Sequence, residues 1–344
     1  MDKRVNLLDL DHEELIRFFE SLGEKPFRSN QLLGWIQRGV RDIGKMTDMP
    51  VILREALMKK ASIGNLSLKE KRVSKIDGTI KYLFQLPDKE VIESVLMNYN
   101  HGYSVCISSQ IGCRMGCLFC ASTGIGFGRN LSKGEMLEQV IMIRDDIGRR
   151  IKNIVVMGIG EPLENYESLV GFLKAVNSPK IMNIGYRHIT VSTCGLAPQI
   201  EKLSKEGMQI NLSVSLHAPN DYIRTQIMPI NKKYAIDNLI EACKIYTRAT
   251  GRRVTFEYIL ISGLNDSKND AVELSGRLKN LLCHVNLIPF NTVRGLKYRK
   301  SSLGKAAIFK AMLEKNKINA TIRRELGSDI DAACGQLRRH VIKE

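Results

Sequence analysis

Residues 106–120, CISSQIGCRMGCLFC, hold four of the chain's eight cysteines. Cys113, Cys117 and Cys120 form a C-x3-C-x2-C triplet directly after a strand-like run, Tyr103 to Ser109, and Cys106 lies inside that run. Three thiols on one tight loop can hold a metal centre and leave one coordination position open. Structural zinc wants a closed tetrahedral set of four ligands, usually from paired C-x2-C knuckles. No second knuckle and no His-x3-His pair completes such a set here, and Cys106, seven residues back on the strand, reaches the loop poorly. A cubane iron–sulfur cluster on three cysteines leaves one iron open to bind a small molecule.

Beyond Tyr103 the chain alternates between strand and helix patterns. Strands are expected at 103–109, 152–157, 188–193, 210–216, 253–260 and 283–290. Helices are expected at 133–148 after a Ser132/Glu135 capping box, then at 164–176, 197–206, 234–249, 267–282 and 303–315. Such alternation implies parallel pairing with right-handed crossovers. Six units are too few for an eight-stranded barrel but can curl into an open one, with chemistry at the carboxyl ends of the strands. Unusual residues fall there: the cysteines after strand one, Gly158 to Pro162 after strand two, Ser192 at the end of strand three, Ser215–Leu216–His217 at strand four and Asn291 after strand six. Each has a plainer reading as well, since Gly160 can simply shape a turn and His217 can simply satisfy a carbonyl.

The first sixty residues read as short helices. Asp11 and Glu14 make a capping pattern ahead of Leu15, Ile16, Phe18, Phe19 and Leu22, and Pro50 suits a helix first turn. Strand patterns follow at 66–73, 79–86 and 91–97, the first two separated by Asp77–Gly78. Glu93 lies in the third, where an acidic residue is ordinarily a solvated edge position. The expected division is therefore 1–62 helical accessory domain, 63–98 antiparallel extension, 99–329 core barrel and 330–344 C-terminal segment.

The 344 residues carry a net charge of +16 with ordinary hydrophobic content of 44%. Residues 1–99 hold 17 Lys/Arg against 15 Asp/Glu and residues 100–344 hold 35 against 21, so the excess belongs to the larger part. A basic surface suits a phosphate backbone. No apolar run reaches membrane-spanning length, and Asp9, Asp11, Glu13 and Glu14 interrupt any signal-peptide core. A cytoplasmic monomer is expected, without a disulfide framework. Cys194, Cys243 and Cys283 read as small buried hydrophobes. A zinc-stabilised, non-catalytic RNA-binding protein is the rival reading of these features.

The triplet resembles the signature of the radical S-adenosylmethionine superfamily, whose fold is a partial (β/α)6 barrel. Ile107 to Cys120, Met157 to Pro162 (MGIGEP), Ser215 to Pro219 (SLHAP), Met228 to Asn231 (MPIN) and Asp329 to Leu337 (DIDAACGQL) together are similar to the RlmN/Cfr family of RNA methyltransferases. The resemblance implies a 4Fe–4S cluster on Cys113, Cys117 and Cys120. It implies S-adenosylmethionine against Gly160, Glu161, Ser192, Ser215, Leu216, His217 and Asn291, and a reductase/flavodoxin-type electron donor. By the same resemblance Cys334 is methylated by one S-adenosylmethionine, loses a hydrogen to a radical made from a second, and adds its methylene to adenine. Cys106 then releases the product through a transient Cys106–Cys334 disulfide. Glu93, thirteen residues before Cys106, matches the family's proton acceptor. Members methylate adenine C2 in 23S rRNA and in tRNA beside the anticodon, and resistance members methylate C8 of the same rRNA adenine. Pro162 matches the C2 type. Arg294, Lys297, Arg299 and Lys300 are candidate phosphate contacts.

Overall fold

The structure, a computed structural model, describes residues 4–124, 126–291 and 297–337. Its N-terminal part holds β1 (Val5–Asn6), α1 (His12–Glu20), α2 (Arg28–Gln37), α3 (Val51–Lys60) and β2 (Ala61–Ser62), with β1 and β2 paired in parallel. The expected capping box starts α1. Asp11 Oδ1 accepts from Glu14 N at 2.8 Å and Glu14 Oε2 accepts from Asp11 N at 2.7 Å. Leu15, Phe19, Leu32, Ile36, Leu53 and Leu57 are buried together with the core of the larger part.

A single ten-stranded sheet follows. The strands β3 (Ser67–Val73), β4 (Ile80–Gln85) and β5 (Val91–Tyr99) form an antiparallel meander, and β5 pairs antiparallel with β6 (Gly102–Cys106). From β6 onward every pairing is parallel: β7 (Ile151–Val156), β8 (Ile189–Thr193), β9 (Asn211–Ser215), β10 (Val254–Leu260), β11 (Cys283–Pro289) and β12 (Ala320–Ile322). The helices α4 (Lys133–Ile147), α5 (Tyr166–Asn177), α6 (Ala197–Ser204), α7 (Asp221–Ile227), α8 (Ile236–Thr250), α9 (Lys268–Leu278) and α10 (Leu303–Lys315) supply the crossovers. The end strands β3 and β12 pair on one side only, so the ribbon stays open.

This is the expected α/β architecture with an antiparallel extension. The sequence reading missed β12 and α7, because three and seven residues are too short for a periodic signal. The strand pattern explains why the barrel has a usable interior. In β8, Ile189 and Val191 are buried in the main core, whereas Thr190 and Ser192 border cavities on the other face. Asn211, Ser213 and Ser215 on β9 likewise face cavities. Alternation thus puts apolar side chains under the helices and small polar ones inside the barrel.

The N-terminal helices are tied to the barrel by one buried acid on α4. Glu138 Oε1 accepts from Leu66 N at 3.0 Å and from Arg41 Nη1 at 2.8 Å, and Oε2 accepts from Asn65 N at 2.8 Å. Removing that carboxylate orphans two backbone donors at once. Glu138→Ala should therefore lower unfolding free energy by about 2–4 kcal/mol, read as a lower denaturant midpoint at unchanged slope. A loss below about 1 kcal/mol would show that the joint depends on apolar packing alone.

Candidate iron–sulfur and cofactor site

The cysteine loop is closed at its base before its thiols are placed. Ile111 N donates to Arg129 O at 2.9 Å, Gly128 N to Ile111 O at 2.7 Å and Leu131 N to Ser109 O at 3.1 Å. Gly112 makes this closure possible: its φ is +71° and a Cβ there would lie 1.7 Å from Gly126 O. The loop is then held from two sides, by Leu118 N on Ile227 O at 2.9 Å and by Ala121 N on Gly335 O at 2.8 Å. Cys113 and Cys117 are buried and Cys120 is half-buried, and all three border one cavity at the mouth of the barrel.

Burial pushes the Cys113 thiol up to about 12 and Cys117 well above its ordinary value, and the neighbouring thiols add to both. Burial favours the protonated thiols in the free chain, and a bound metal would displace those protons. Among the described residues no three His, Cys, Asp or Glu side chains converge as ligands of a single ion. Three cysteines spread over one loop fit a cluster, which distributes its thiolates over separate irons, better than a closed zinc site.

Opposite the cysteines stand the strand ends. Gly160, Glu161, Pro162, Ser192, Ser215 and His217 border the same cavity. Gly160 has φ +108°, and a Cβ there would lie 2.6 Å from the Gln110 side chain. Gln110 Oε1 in turn accepts from Glu161 N at 2.8 Å. The buried Glu161 carboxylate accepts from Cys194 N at 2.7 Å and Leu163 N at 3.0 Å; burial raises its pKa and these donors oppose the rise. His217 accepts from Ile259 N through Nδ1 at 3.0 Å and meets the edge of Phe119 at 4.8 Å between ring centres. Burial, then the nearby Arg224, pushes its pKa down to about 3, so the ring is neutral with its proton on Nε2. Leu216 does not border the cavity: its side chain is in the main core and its carbonyl accepts from Arg224 Nε.

A second cavity adjoins the first, and Cys334 borders both. Cys106 borders the second, together with Asn291, whose Nδ2 donates to Cys334 O at 3.0 Å. All eight cysteines are free thiols. Burial pushes Cys106 up to about 12, with Cys334 adding to the rise. The polar segment carrying Cys334 is tied down rather than loose. Asp329 accepts from Ser74 Oγ at 2.7 Å and Lys75 N at 2.9 Å, Gly327 N donates to Asp77 Oδ2 at 2.9 Å, and Leu337 O accepts from Ser122 Oγ at 2.7 Å. Its lack of periodicity reflects side-chain-to-backbone bonding to the β3–β4 turn and the cysteine loop.

Glu93 is fully buried, not at a solvated edge. Its Oε1 pairs with the equally buried Lys81 Nζ at 3.0 Å, and Lys81 also donates to Asp331 O at 3.0 Å. It borders neither of these two cavities, but lies on the same face of β5 as Val95, whose partner across the ladder is Cys106. Lys297, Arg299 and Lys300 are exposed, and Lys300 Nζ pairs with Glu325, a rim residue of the second cavity, at 2.6 Å. Arg294 lies outside the described residues.

The sequence reading missed Arg323, which borders both cavities and pairs with Glu257 at 3.9 Å. Nothing in its basic surroundings marked it. Cys194 is buried as expected, yet it also borders the first cavity beside the triplet, whereas Cys243 and Cys283 sit in the main core.

Comparison with known proteins agrees with this geometry. Residues 107–274 match the radical SAM superfamily, and residues 5–63 match the ribosomal RNA large subunit methyltransferase N-terminal domain. A protein of Alkaliphilus oremlandii named probable dual-specificity RNA methyltransferase RlmN is 51% identical over 98% of both chains. One of the same name from Alkaliphilus metalliredigens is 52% identical over 100% of this chain and 97% of its own length. The chain belongs to the RlmN family of radical SAM RNA methyltransferases. The crystal structure of a radical SAM methyltransferase from Sphaerobacter thermophilus superposes with a TM-score of 0.94 at 43% identity, covering 97% of this chain and 99% of that one. The family implies the 4Fe–4S cluster and S-adenosylmethionine for which the cysteine loop and strand ends are suited. No described helix is long and apolar enough to cross a membrane.

His217 makes a pH prediction. Its pKa is about 3 in the folded chain against 6.5 for an ordinary imidazole, so the folded chain binds fewer protons between these values. Its contribution is complete above pH 6.5 and is lost as pH falls toward 3. His217→Asn, which keeps an acceptor for Ile259 N and tolerates a positive φ, should flatten the acid-side fall of unfolding free energy by up to about 1.4 kcal/mol per pH unit. Identical slopes in variant and parent would place a proton on the ring of the folded protein.

Proposed function

We propose that this chain methylates C2 of adenine in 23S rRNA and in tRNA next to the anticodon, through a methyl group carried on Cys334. The observation that carries the proposal is the placement of Cys334. It borders the cavity of the cysteine triplet on one side and the cavity of Cys106 on the other. Adenine C2, flanked by ring nitrogens, is electron-poor and does not take a methyl group from a sulfonium as an amine would.

The cluster and S-adenosylmethionine, held by Cys113, Cys117, Cys120 and the strand-end residues, supply when bound a methyl group and, from a second molecule, a hydrogen-abstracting carbon radical. The chain's own residues do the rest. Glu161 offers a carboxylate to an ammonium, and Ser192 and Ser215 offer hydroxyls to a carboxylate. Cys334 Sγ bonds the methyl carbon and gives up its proton. Once that carbon is joined to C2, Glu93 takes the C2 proton, and the unpaired electron left on the ring would return to the cluster when one is bound, leaving a closed-shell thioether. Cys106 Sγ then attacks Cys334 Sγ; the sulfur–carbon bond breaks, the carbon takes a proton, and the sulfurs leave as a disulfide for an external reductant. Exchange of this kind needs Cys106 as a thiolate, against the strong upward push of burial. Arg323, whose charge favours ionised Cys106, borders both cavities and is placed to assist. RNA lies across the mouth, where Lys297, Arg299 and Lys300 meet its phosphates.

Pro162 borders the cofactor cavity beside Glu161, in keeping with C2 rather than C8 as target. Mass spectrometry of RNA methylated by the reconstituted protein should give 2-methyladenosine, and 8-methyladenosine as main product would overturn the choice. Cys334→Ala should abolish methylation while retaining about four irons. Cys106→Ala should accumulate a covalent protein–RNA adduct; free product at the parental rate would remove Cys106 from the mechanism. Neutralising Lys297, Arg299 and Lys300 together should reduce the log–log salt slope of RNA binding by about 2–3, and an unchanged slope would move the phosphate contacts elsewhere.

A further inference from the structure

Arg224 on α7 has no exposed surface, and its guanidinium is spent on neutral acceptors. Nη2 donates to Cys194 O at 2.7 Å and to Ser215 O at 3.2 Å, and Nε donates to Leu216 O at 3.1 Å. Nη1 donates to Asn231 Oδ1 at 2.9 Å and Tyr234 O at 3.4 Å. Asp221 reaches it only indirectly, through Asn231 Nδ2 at 2.9 Å, and also accepts from Ile236 N at 2.8 Å. Among the described residues the other buried cation, Lys81, is paired with Glu93, and the half-buried Arg323 lies beside Glu257.

Carbonyl oxygens satisfy the hydrogens of a buried guanidinium but not its charge, and an unbalanced buried charge is strongly destabilising. Cys194 and Ser215, the residues that hold Nη2, both border the cavity of the cysteine triplet, and the last residue of α7, Ile227, accepts through its carbonyl from Leu118 N, between Cys117 and Cys120. A fixed, unpaired positive charge thus lies directly behind the strand ends and the cysteine loop that border this cavity.

We infer that Arg224 is the built-in counter-charge of the iron–sulfur site, placed to ease the addition of an electron to a cluster held by three thiolates. The inference rests on the assignment of Cys113, Cys117 and Cys120 as cluster ligands. Each electron added to such a cluster increases a negative charge that little water can screen, and a fixed cation in the same low-dielectric region offsets it. Reduction takes one electron from a low-potential donor and leaves bonds and protons unchanged. The same guanidinium ties the ends of β8 and β9 together, so a purely geometric role is the competing explanation.

The test is the one-electron reduction potential of the anaerobically reconstituted full chain. Dithionite with low-potential mediators is the reductant, and the paramagnetic signal of the reduced cluster is the readout. Parent, Arg224→Lys and Arg224→Gln are compared at equal iron content. A counter-charge predicts that Gln lowers the equilibrium constant for reduction tenfold or more, about 59 mV more negative, and that Lys stays within about threefold of the parent. Gln that fails to assemble a cluster while Lys assembles one normally also supports the charge. Equal large shifts in both variants would make the role geometric, and an unshifted Gln variant would leave no role for the charge; either overturns the inference. A parent chain that binds no iron would instead overturn the ligand assignment itself.

Discussion

The site depends on a backbone approach that only glycine permits. Gly158 N donates to Ile107 O at 2.9 Å, and a Cβ on Gly158 would lie 2.6 Å from that same oxygen. This contact extends the β6–β7 pairing beyond its ladder. Ser109 N and Gln110 N then both reach Ile159 O, and Ser108 Oγ bridges from Glu93 O at 2.6 Å to Ile159 N at 3.0 Å. The cysteine loop and the Gly-Glu-Pro turn leave the sheet side by side as a result. From there each strand end is joined to the next: Gln110 to Glu161, Glu161 to Cys194, Arg224 to Cys194 and Ser215, and His217 to Ile259. An open ribbon without a closing strand needs such ties to hold a rim in shape, because precise placement of reacting groups contributes heavily to catalysis.

Charge is arranged on the same plan. The chain's excess of positive charge gives a surface suited to RNA, but the cations that matter most to the site are internal. Lys81 pairs with Glu93 beneath the Cys334 segment, Arg323 borders the two cavities beside Glu257, and Arg224 ties the ends of β8 and β9 behind the triplet's cavity. Buried cations without such a task would destabilise the fold, since removal from water costs more than neutral hydrogen bonds return.

Much of this was legible in the sequence, for physical reasons. Strand–helix alternation, the capping boxes at Asp11 and Ser132 and the cysteine spacing are local, and local patterns survive reading one residue at a time. The triplet and Gly160 are marked by residue types that few other tasks require. The burial of Glu93 was not legible, because residue type alone made it a solvated edge position. Its burial comes from Lys81 on the next strand and from the segment around Asp331, far along the chain. Arg224 and Arg323 were invisible for the same reason: their partners are carbonyls, an amide and an acid brought together by the fold. Leu216 lies in the same motif as Ser215 and His217, but its side chain serves the core.

The central claim is that Cys334, placed between two cavities, carries the methyl group that reaches RNA. Peptide mass spectrometry of reconstituted protein, treated with methyl-labelled S-adenosylmethionine in the absence of RNA, addresses it most directly. The account predicts one labelled methyl group on Cys334, none on Cys106, and passage of that label into adenine when RNA is added. Label on Cys106, or RNA methylation from a protein whose Cys334 never acquires the label, would contradict it.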